Sequence, residues 1–172
     1  MEEKAKKSLS RPKIFLLTFF LVFVLSLALN FCSSLRVYEA AGSSMAPAFQ
    51  EGDRILFQMG ASFRSGDVVI LSAGELGMVI KRVIAVEGQH VVVDYAANTV
   101  TVDGVILDEP YVPEAMTDTR NPAIRLLDVT VPPGRVYVLG DNRNHSFDSR
   151  HEQLGCVHVS GVWGKALWNM GP

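Results

Sequence analysis

The sequence predicts a mainly β domain of antiparallel strands, preceded by one transmembrane helix. Three observations support this fold class. A long uncharged apolar run lies close to the N-terminus, short β-branched runs punctuated by glycines follow it, and no later segment has the periodicity of a long helix. The chain has 172 residues, which is room for one compact domain and an anchor but not for two full domains.

The apolar run covers residues 14–32 and begins IFLLTFFLVFVLSLALNF, without a charged residue. Its first 18 residues would form a helix of roughly 27 Å, close to the hydrocarbon thickness of a bilayer. Five basic residues precede the run, and only Arg36 follows closely. The positive-inside rule therefore predicts a cytoplasmic segment 1–13 and an extracytoplasmic domain 36–172. A cleavable signal peptide is the alternative, but the run is long and SSLRVYEAAG offers only poor small-x-small sites.

The predicted β domain contains short runs rich in β-branched residues. These runs cover residues 53–57, 67–71, 78–86, 90–95, 99–102, 105–107 and 135–140. Asp103-Gly104 separates two alternating runs, which is a strong signal of a two-residue hairpin turn. The polar, proline-bearing stretch from Glu109 to Pro133 is predicted to be a long connection or a small excursion.

Composition excludes several classes of function. With 16 basic and 18 acidic residues, the chain has no basic excess that would attract nucleic acid. Neither Cys32 and Cys156 nor the four histidines have a spacing typical of metal ligands, so we expect no metal, no cofactor and no disulfide. Core packing is expected for most of four aromatic residues that are otherwise candidates for membrane contact: Phe57, Phe63, Trp163 and Trp168.

Two stretches contain the residue types needed for nucleophilic catalysis. AAGSSMAPAFQEGD (40–53) has the adjacent residues Ser43 and Ser44 beside Gly42, and MVIKRVIAVEG (78–88) would place Lys81 and Arg82 on opposite apolar faces of a strand. Burial of a lysine lowers its pKa by ~3–5 units, and a neutral lysine can take a proton from a serine hydroxyl. The alternatives are a surface turn and an edge strand whose cations reach water.

A third stretch, GDNRNHSFDSR (140–150), follows an apolar strand and is dense in polar groups. Such groups are costly to bury unless they bond to one another, so the stretch indicates either a polar network at a site or a solvated loop. His145 suggests a Ser-His pair, but the pattern around it does not require a base there, and a surface histidine is commoner.

These stretches, in this order behind an N-terminal anchor, resemble bacterial type I signal peptidases over essentially the whole chain. GSSMAP is similar to the nucleophile box, RSGDVVIL to the next box, and IKRVIAVEG to the lysine box; GDNRNHSFDSR resembles the last box closely and is the most specific. The resemblance implies that Ser44 is the nucleophile and Lys81 the general base. It also implies an antiparallel β fold of the signal-peptidase and LexA-like type, anchored in a bacterial inner membrane. The implied partners are preprotein signal peptides and the lipid bilayer, with the secretion translocon as a further candidate.

The resemblance also assigns supporting and substrate-binding positions. Ser146 would orient the amine of the base, Asp148 and Arg150 would form an ion pair near the site, and Asn142 and Asp141 would shape the loop. The implied substrates have small residues at the first and third positions before the cut, and an extended peptide would pair with the strands beside the site. The predicted substrate-binding residues are Ala40, Ala41, Gly42, Met45, Phe49, Val79 and Ile80.

The chain departs from the family pattern at a few positions. Gly42 stands where some members carry a serine that helps to bind the oxyanion. The backbone N–H of Ser44 is thus one expected donor, and the second donor stays open. Ala48 replaces a frequent threonine, and the short connection to the last box implies that the large extra domain of some members is absent. Lys81 replaces the histidine of the endoplasmic-reticulum branch, which favours the bacterial branch.

Other functions fit some of the same residues. A specialised Ser/Lys maturation peptidase, of the pilus or conjugation type, would differ only in its substrate. A self-cleaving repressor is disfavoured by the anchor and the last box. A non-catalytic, membrane-tethered β domain that binds peptides would not need Ser44 and Lys81 together. The distance between these two side chains therefore discriminates, since catalysis requires hydrogen-bond reach of ~2.6–3.2 Å.

Overall fold

The computed structural model describes residues 11–74, 77–117 and 126–172. Most of the predicted basic segment 1–13 lies outside the described residues, as does the part of the predicted Glu109–Pro133 connection from 118 to 125. The chain divides into two compact units, Met1–Leu35 and Arg36–Pro172. The first unit contains a helix, and the second forms a β domain.

The helix of the first unit, α1, runs from Arg11 to Ser33 and has 23 residues. At about 1.5 Å per residue it is about 35 Å long, and it is long and apolar enough to cross a membrane. None of the side chains described for this helix is buried. The Thr18 hydroxyl donates to the Phe15 carbonyl, and the Asn30 amide donates to the Ser26 carbonyl, both at 2.9 Å. These polar groups are therefore satisfied within the helix itself.

The described residues of the β domain form eleven strands, all paired antiparallel where a register is defined. In chain order, β1 to β11 are Leu35–Glu39, Arg54–Met59, Val68–Ser72, Met78–Val86, His90–Asp94, Thr99–Val102, Val105–Ile106, Leu126–Thr130, Arg135–Leu139, Val157–His158 and Val162–Asn169. One sheet has the order β1-β2-β11-β3-β4-β9-β10 and the other β7-β6-β5-β8. The predicted mainly β, antiparallel fold with one N-terminal apolar helix is confirmed.

Local sequence explains these strands. The run Val68–Leu71 in β3 is buried on both faces, as a strand in the interior of a sheet requires. Strand β5 instead alternates, with Val91 and Val93 in the core. Asp103 and Gly104 have φ angles of 50° and 79°, and they join the paired residues on either side in the predicted two-residue turn.

Strand β4 contributes to the three hydrophobic clusters that the described residues of the β domain form. Ile84 packs in a cluster that also contains Val91 of the smaller sheet, so the two sheets share a core. Val83 packs in a second cluster with β3 and β9, and Ile80 lies against a third cluster around Phe57. Because its backbone is fixed on both sides by packing, β4 is a rigid support for the side chains between these residues.

Sequence patterns did not predict every strand. Strand β8 lies within the stretch from Glu109 to Pro133 that was predicted as a connection, and it pairs with β5. Strand β11 lies between β2 and β3 although Gly164 interrupts its pattern. A Cβ at Gly164 would lie 2.9 Å from the Gln58 carbonyl oxygen, so this glycine permits a close approach of β2.

The aromatic prediction is correct for Phe57, which is fully buried, and Phe63 is partly buried against the core. The expectation of core packing is wrong for Trp163 and Trp168, which are 48% and 68% exposed. Both tryptophans lie on β11 at irregularities of its register, Trp163 where the pairing with β3 shifts and Trp168 where the pairing with β2 shifts.

Candidate active site

Ser44 lies in a tight turn between β1 and β2. The turn is closed by hydrogen bonds from the Ala46 amide to the Ser43 carbonyl (3.1 Å) and from the Phe49 amide to the Met45 carbonyl (2.9 Å). Gly42 has a φ of 75°, a left-handed conformation, and a Cβ there would meet nothing within 4 Å. Glycine at 42 is therefore explained by the backbone conformation and not by a close neighbour. Met45, which follows Ser44, is buried and anchors the turn in the core.

Lys81 extends from β4 toward this turn. Its Nζ lies 2.7 Å from Ser44 Oγ and donates to the Ile80 carbonyl at 2.9 Å. The residue is only 2% exposed. Burial lowers the pKa of Lys81 to about 8, against the opposing effect of the carboxylates of Asp148 and Asp141. The structure thus brings the two predicted catalytic residues into hydrogen-bond contact.

The loop 140–150 folds behind the turn around a buried ion pair. The guanidinium of Arg150 donates twice to the Asp148 carboxylate, with Nε–Oδ1 and Nη2–Oδ2 distances of 2.8 Å. Asp148 also accepts from the Gly140 amide at 3.1 Å. Burial alone would raise the pKa of Asp148, but the bonds from Arg150 outweigh it and the pKa is lowered. Asp148 and Arg150 therefore make the predicted pair, with both groups charged and bonded.

The start of this loop contacts the backbone of the turn that contains Ser44. The Asn142 amide donates to the Ser44 carbonyl at 3.1 Å, and the Asn142 side chain donates to the Ser43 carbonyl at 3.2 Å. A Cβ at Gly140 would lie 2.5 Å from the Ser44 carbonyl oxygen and 2.2 Å from Ser146 Oγ. Residue 140 must therefore be glycine for lack of space.

Ser146 lies beside Gly140 and is buried. The predicted hydrogen bond between Ser146 and Lys81 is not present. Among the described residues, the buried Ser146 hydroxyl oxygen has no hydrogen-bond partner. The Lys81 amine is instead fixed by Ser44 and the Ile80 carbonyl. The orienting role expected of Ser146 stays a prediction.

Asp141 is bound by a residue that the sequence did not single out for a role. Arg82 Nε and Nη2 donate to its two carboxylate oxygens at 2.8 and 2.6 Å. Burial raises the pKa of Asp141 although Arg82 opposes this shift. The sequence predicted that Lys81 and Arg82 lie on opposite faces of the strand, and the structure shows this arrangement. The sequence of β4 did not indicate that Arg82 would bind the Asp141 carboxylate.

A second group of contacts that the sequence missed fixes Arg82. The Arg82 guanidinium carbon lies 3.9 Å from the centroid of the Tyr111 ring, in cation–π geometry. The Tyr111 hydroxyl donates to Glu109 at 2.8 Å, and buried Arg143 donates to the other Glu109 oxygen at 3.0 Å. Glu109 and Tyr111 belong to the stretch predicted as a connection, where no periodicity marked them.

A cavity of about 120 Å³, lined mainly by apolar residues, lies beside the Ser44–Lys81 pair. Besides this pair, its lining contains every residue predicted to bind substrate: Ala40, Ala41, Gly42, Met45, Phe49, Val79 and Ile80. The prediction did not include four further lining residues: Tyr38, Glu39, Ile70 and Met78. Within the described residues, no group of His, Cys, Asp and Glu side chains is placed to hold a metal ion.

A serine hydroxyl bonded to a buried lysine amine, beside a small apolar cavity on an antiparallel β fold, is typical of peptidases that act through serine. Comparison with known proteins agrees with this class. The family described as signal peptidase, peptidase S26, matches residues 13–170, and the chain belongs to this family.

Individual relatives support the assignment. A signal peptidase I of Bacillus caldolyticus is 32% identical over 148 residues, which is 78% of this chain and 79% of the relative. A signal peptidase I of Mycobacterium tuberculosis is 47% identical over 103 residues, 51% of this chain and 34% of that protein. A crystal structure of a signal peptidase I from Enterococcus faecalis aligns with a TM-score of 0.51 and 28% identity, and covers 63% of this chain and 98% of that one.

Proposed function

We propose that this chain is a membrane-anchored serine endopeptidase that removes signal peptides from exported preproteins after small-x-small sites. Ser44 acts as the nucleophile and Lys81 as the general base. The observation that carries the proposal is the 2.7 Å contact between Ser44 Oγ and the buried Lys81 Nζ. A peptide-binding domain without catalysis would gain nothing from burying a lysine amine against a serine hydroxyl, because burial of the charged form is unfavourable.

The pKa of Lys81 makes this chemistry possible near neutral pH. With a pKa of about 8, about one molecule in ten has a neutral amine at pH 7. A free lysine would be neutral in only about one molecule in 2,500. Burial therefore raises the population of the active base by more than two orders of magnitude.

The reaction then proceeds in two acyl transfers. The Ser44 hydroxyl gives its proton to the neutral Lys81 amine as the oxygen attacks the scissile carbonyl, and the backbone N–H of Ser44 binds the oxyanion. The Lys81 ammonium returns the proton to the leaving amine, which frees the mature protein and leaves the signal peptide as an ester on Ser44. Water, activated by the same amine, hydrolyses this ester.

The cavity and the strand edge beside it suit an extended peptide. On β4, Ile80 pairs with Ile70 of β3, whereas pairing with β9 on the other edge begins only at Arg82. The stretch from Met78 to Lys81 therefore leaves one edge available for a substrate strand. The cavity is small and is lined mainly by apolar side chains. It therefore accepts the alanine side chains that precede the cleaved bond and excludes larger ones.

Anchoring follows from helix α1 in this proposal. The basic residues before the apolar run favour a cytoplasmic N-terminus, and the β domain then lies outside the cytoplasm, where signal peptides emerge. The lipid bilayer of a bacterial inner membrane and the translocated preproteins are the proposed partners, with the secretion translocon as a further candidate.

The test uses the full chain in detergent with a preprotein whose signal peptide ends in Ala-x-Ala, and product masses are measured. Cleavage after the second alanine is expected for the wild type and is expected to be lost in Ser44→Ala and Lys81→Ala. The matched controls are Ser160→Ala, which removes a hydroxyl just before β11, and Lys165→Ala, which removes an amine on β11. Neither residue lines the cavity. They should cleave normally.

Two outcomes would contradict the proposal. Cleavage that survives in Ser44→Ala or Lys81→Ala would mean that other residues carry the reaction. A folded wild type that leaves the preprotein intact would favour a specialised maturation peptidase or a peptide-binding domain.

A further inference from the structure

The peptide group between Ser43 and Ser44 is held from one side only. Its carbonyl accepts hydrogen bonds from the Ala46 amide at 3.1 Å and from the Asn142 side chain at 3.2 Å. This peptide bond is trans, because the bond between Ala46 and Pro47 is the one cis bond in the described chain. In a trans peptide the N–H points opposite to the C=O, so the Ser44 N–H points away from Asn142.

The Ser44 N–H has no acceptor among the residues that the structure describes. Ser44 itself lines the cavity beside Lys81. A backbone N–H that is unpaired next to a nucleophile is the donor geometry that an oxyanion requires. The direction of this N–H is therefore decided by what holds the carbonyl of the same peptide group.

Asn142 holds both carbonyls that flank the nucleophile. Its backbone amide binds the Ser44 carbonyl at 3.1 Å, while its side chain binds the Ser43 carbonyl. The side chain makes no other hydrogen bond among the described residues, and its Oδ1 is buried without a partner. A buried, unpaired amide oxygen destabilises the folded state. The one hydrogen bond that the Asn142 side chain makes among the described residues, to the Ser43 carbonyl, therefore needs an explanation other than stability.

We propose that Asn142 is a positioning residue for the oxyanion site: its side chain fixes the Ser43–Ser44 peptide so that the Ser44 N–H faces the developing oxyanion. This inference rests on the proposed peptidase function. Asn142 acts through the peptide group and does not touch the substrate. Its effect belongs to the transition state, because the charge that the N–H stabilises is absent from the bound substrate.

The size of the effect can be bounded. Loss of one oxyanion donor lowers kcat by about 10²–10³. Loss of the residue that orients the donor leaves the N–H in place but mobile, so we expect a decrease of about 10–100-fold in kcat with KM nearly unchanged.

The experiment compares Asn142→Asp and Asn142→Ala with the controls Asn144→Asp and Asn144→Ala. Aspartate keeps the shape of asparagine but cannot donate to the Ser43 carbonyl when ionised, and alanine keeps the backbone bond to Ser44. Asn144 is in the same loop, but its side chain bonds to the backbone of Ala115 and Thr117, away from the nucleophile. Each variant is measured for kcat, KM and the pH dependence of kcat/KM on the preprotein.

A second readout separates orientation from simple loss of structure. The Ser44 oxygen adds to the carbonyl carbon of a peptide aldehyde ending in alanine, and the Ser44 hydroxyl proton passes to Lys81 Nζ, 2.7 Å away. The resulting tetrahedral hemiacetal places the former carbonyl oxygen, with its negative charge, at the oxyanion position. Its inhibition constant should rise in the two Asn142 variants by the same factor as kcat/KM falls, while the affinity of the cleaved signal peptide stays unchanged.

The outcomes distinguish this inference from the proposed function. A wild type that does not cleave the preprotein removes the proposed function itself. An active wild type with normal kcat and normal aldehyde inhibition in both Asn142 variants overturns the role of Asn142 alone. A shift in the pH midpoint of the uncharged variant Asn142→Ala, or an equal loss of aldehyde and product binding in either variant, also overturns it, because the side chain would then support the loop or Lys81 and not the peptide group.

Discussion

Lys81 and Arg82 are consecutive cations on β4, and they face opposite surroundings. The Lys81 amine contacts a hydroxyl and a carbonyl, and no ion pair is formed by it among the described residues. The Arg82 guanidinium is bonded to both oxygens of Asp141 and stacked on Tyr111. Burial lowers the pKa of Lys81 to about 8, whereas the bond to Asp141 outweighs burial and raises the pKa of Arg82.

The difference shows that the partner, and not burial alone, decides what a buried cation does. A lysine without a bonded carboxylate loses its proton easily and becomes a base. An arginine with a bidentate carboxylate stays charged and fixes the loop that carries that carboxylate. Two neighbouring positions of one strand thus supply the proposed base and an ion pair that holds the loop 140–150.

Replacing each cation by methionine should separate activity from stability. Lys81→Met removes the base and should lower kcat/KM by about 10⁴, with unchanged or higher stability because no charge remains to be desolvated. Arg82→Met leaves the Asp141 carboxylate, which is 1% exposed, without its partner and should cost about 3 kcal/mol. Urea denaturation and turnover measure both effects. A larger loss of stability in Lys81→Met than in Arg82→Met would refute the comparison.

The pH dependence of kcat/KM should report the Lys81 amine and its two carboxylate neighbours. Activity should rise with pH to a plateau above about 8, since the neutral amine is the active form. Asp141 and Asp148 both raise this pKa, so Asp141→Asn should move the midpoint to lower pH. Asp128→Asn, which removes an exposed carboxylate on β8, should leave it in place. A midpoint near 6.5 would implicate a histidine, and a shift to higher pH in Asp141→Asn would contradict the proposed electrostatics.

The smallest effect is expected where Tyr111 supports Arg82. Tyr111→Phe keeps the ring against Arg82 but loses the bond to Glu109, and it should reduce the free energy of unfolding by about 1 kcal/mol. Tyr111→Ala also loses the cation–π contact, worth about 0.5–2 kcal/mol, and the packing of the ring. Turnover should change by less than about threefold in Tyr111→Phe. Equal stability of the two variants would show that the ring does not hold Arg82.

The fold was largely predictable because most strands have strong local patterns. The β-branched run at 78–86 and the Asp103-Gly104 turn needed no tertiary information. Strand β11 was not predictable, because its Gly164 is explained only by the carbonyl of a neighbouring strand. The exposure of Trp163 and Trp168 likewise depends on where β11 lies in the sheet.

The candidate site was predictable where its residues belong to a short motif of neighbouring residues in the chain. Ser44, Lys81 and the loop 140–150 are marked by their neighbours in the chain, and the structure brings them together. The bond between Arg82 and Asp141 joins residues 59 positions apart, and Glu109 lies in a stretch without periodicity. Such contacts depend on three-dimensional packing that no local pattern encodes.

The position of β11 has a consequence for the biosynthesis of the enzyme. Strands β2 and β3 follow each other in the chain but are paired through β11, so the large sheet stays in two parts until residues 162–169 have been made. A nascent chain that already contains Ser44, Lys81 and Asp148 still lacks the strand that joins their supports. The turn that contains Ser44 follows β1 and precedes β2, whereas Lys81 lies on β4, so these two residues belong to parts of the sheet that the last strand of the chain joins.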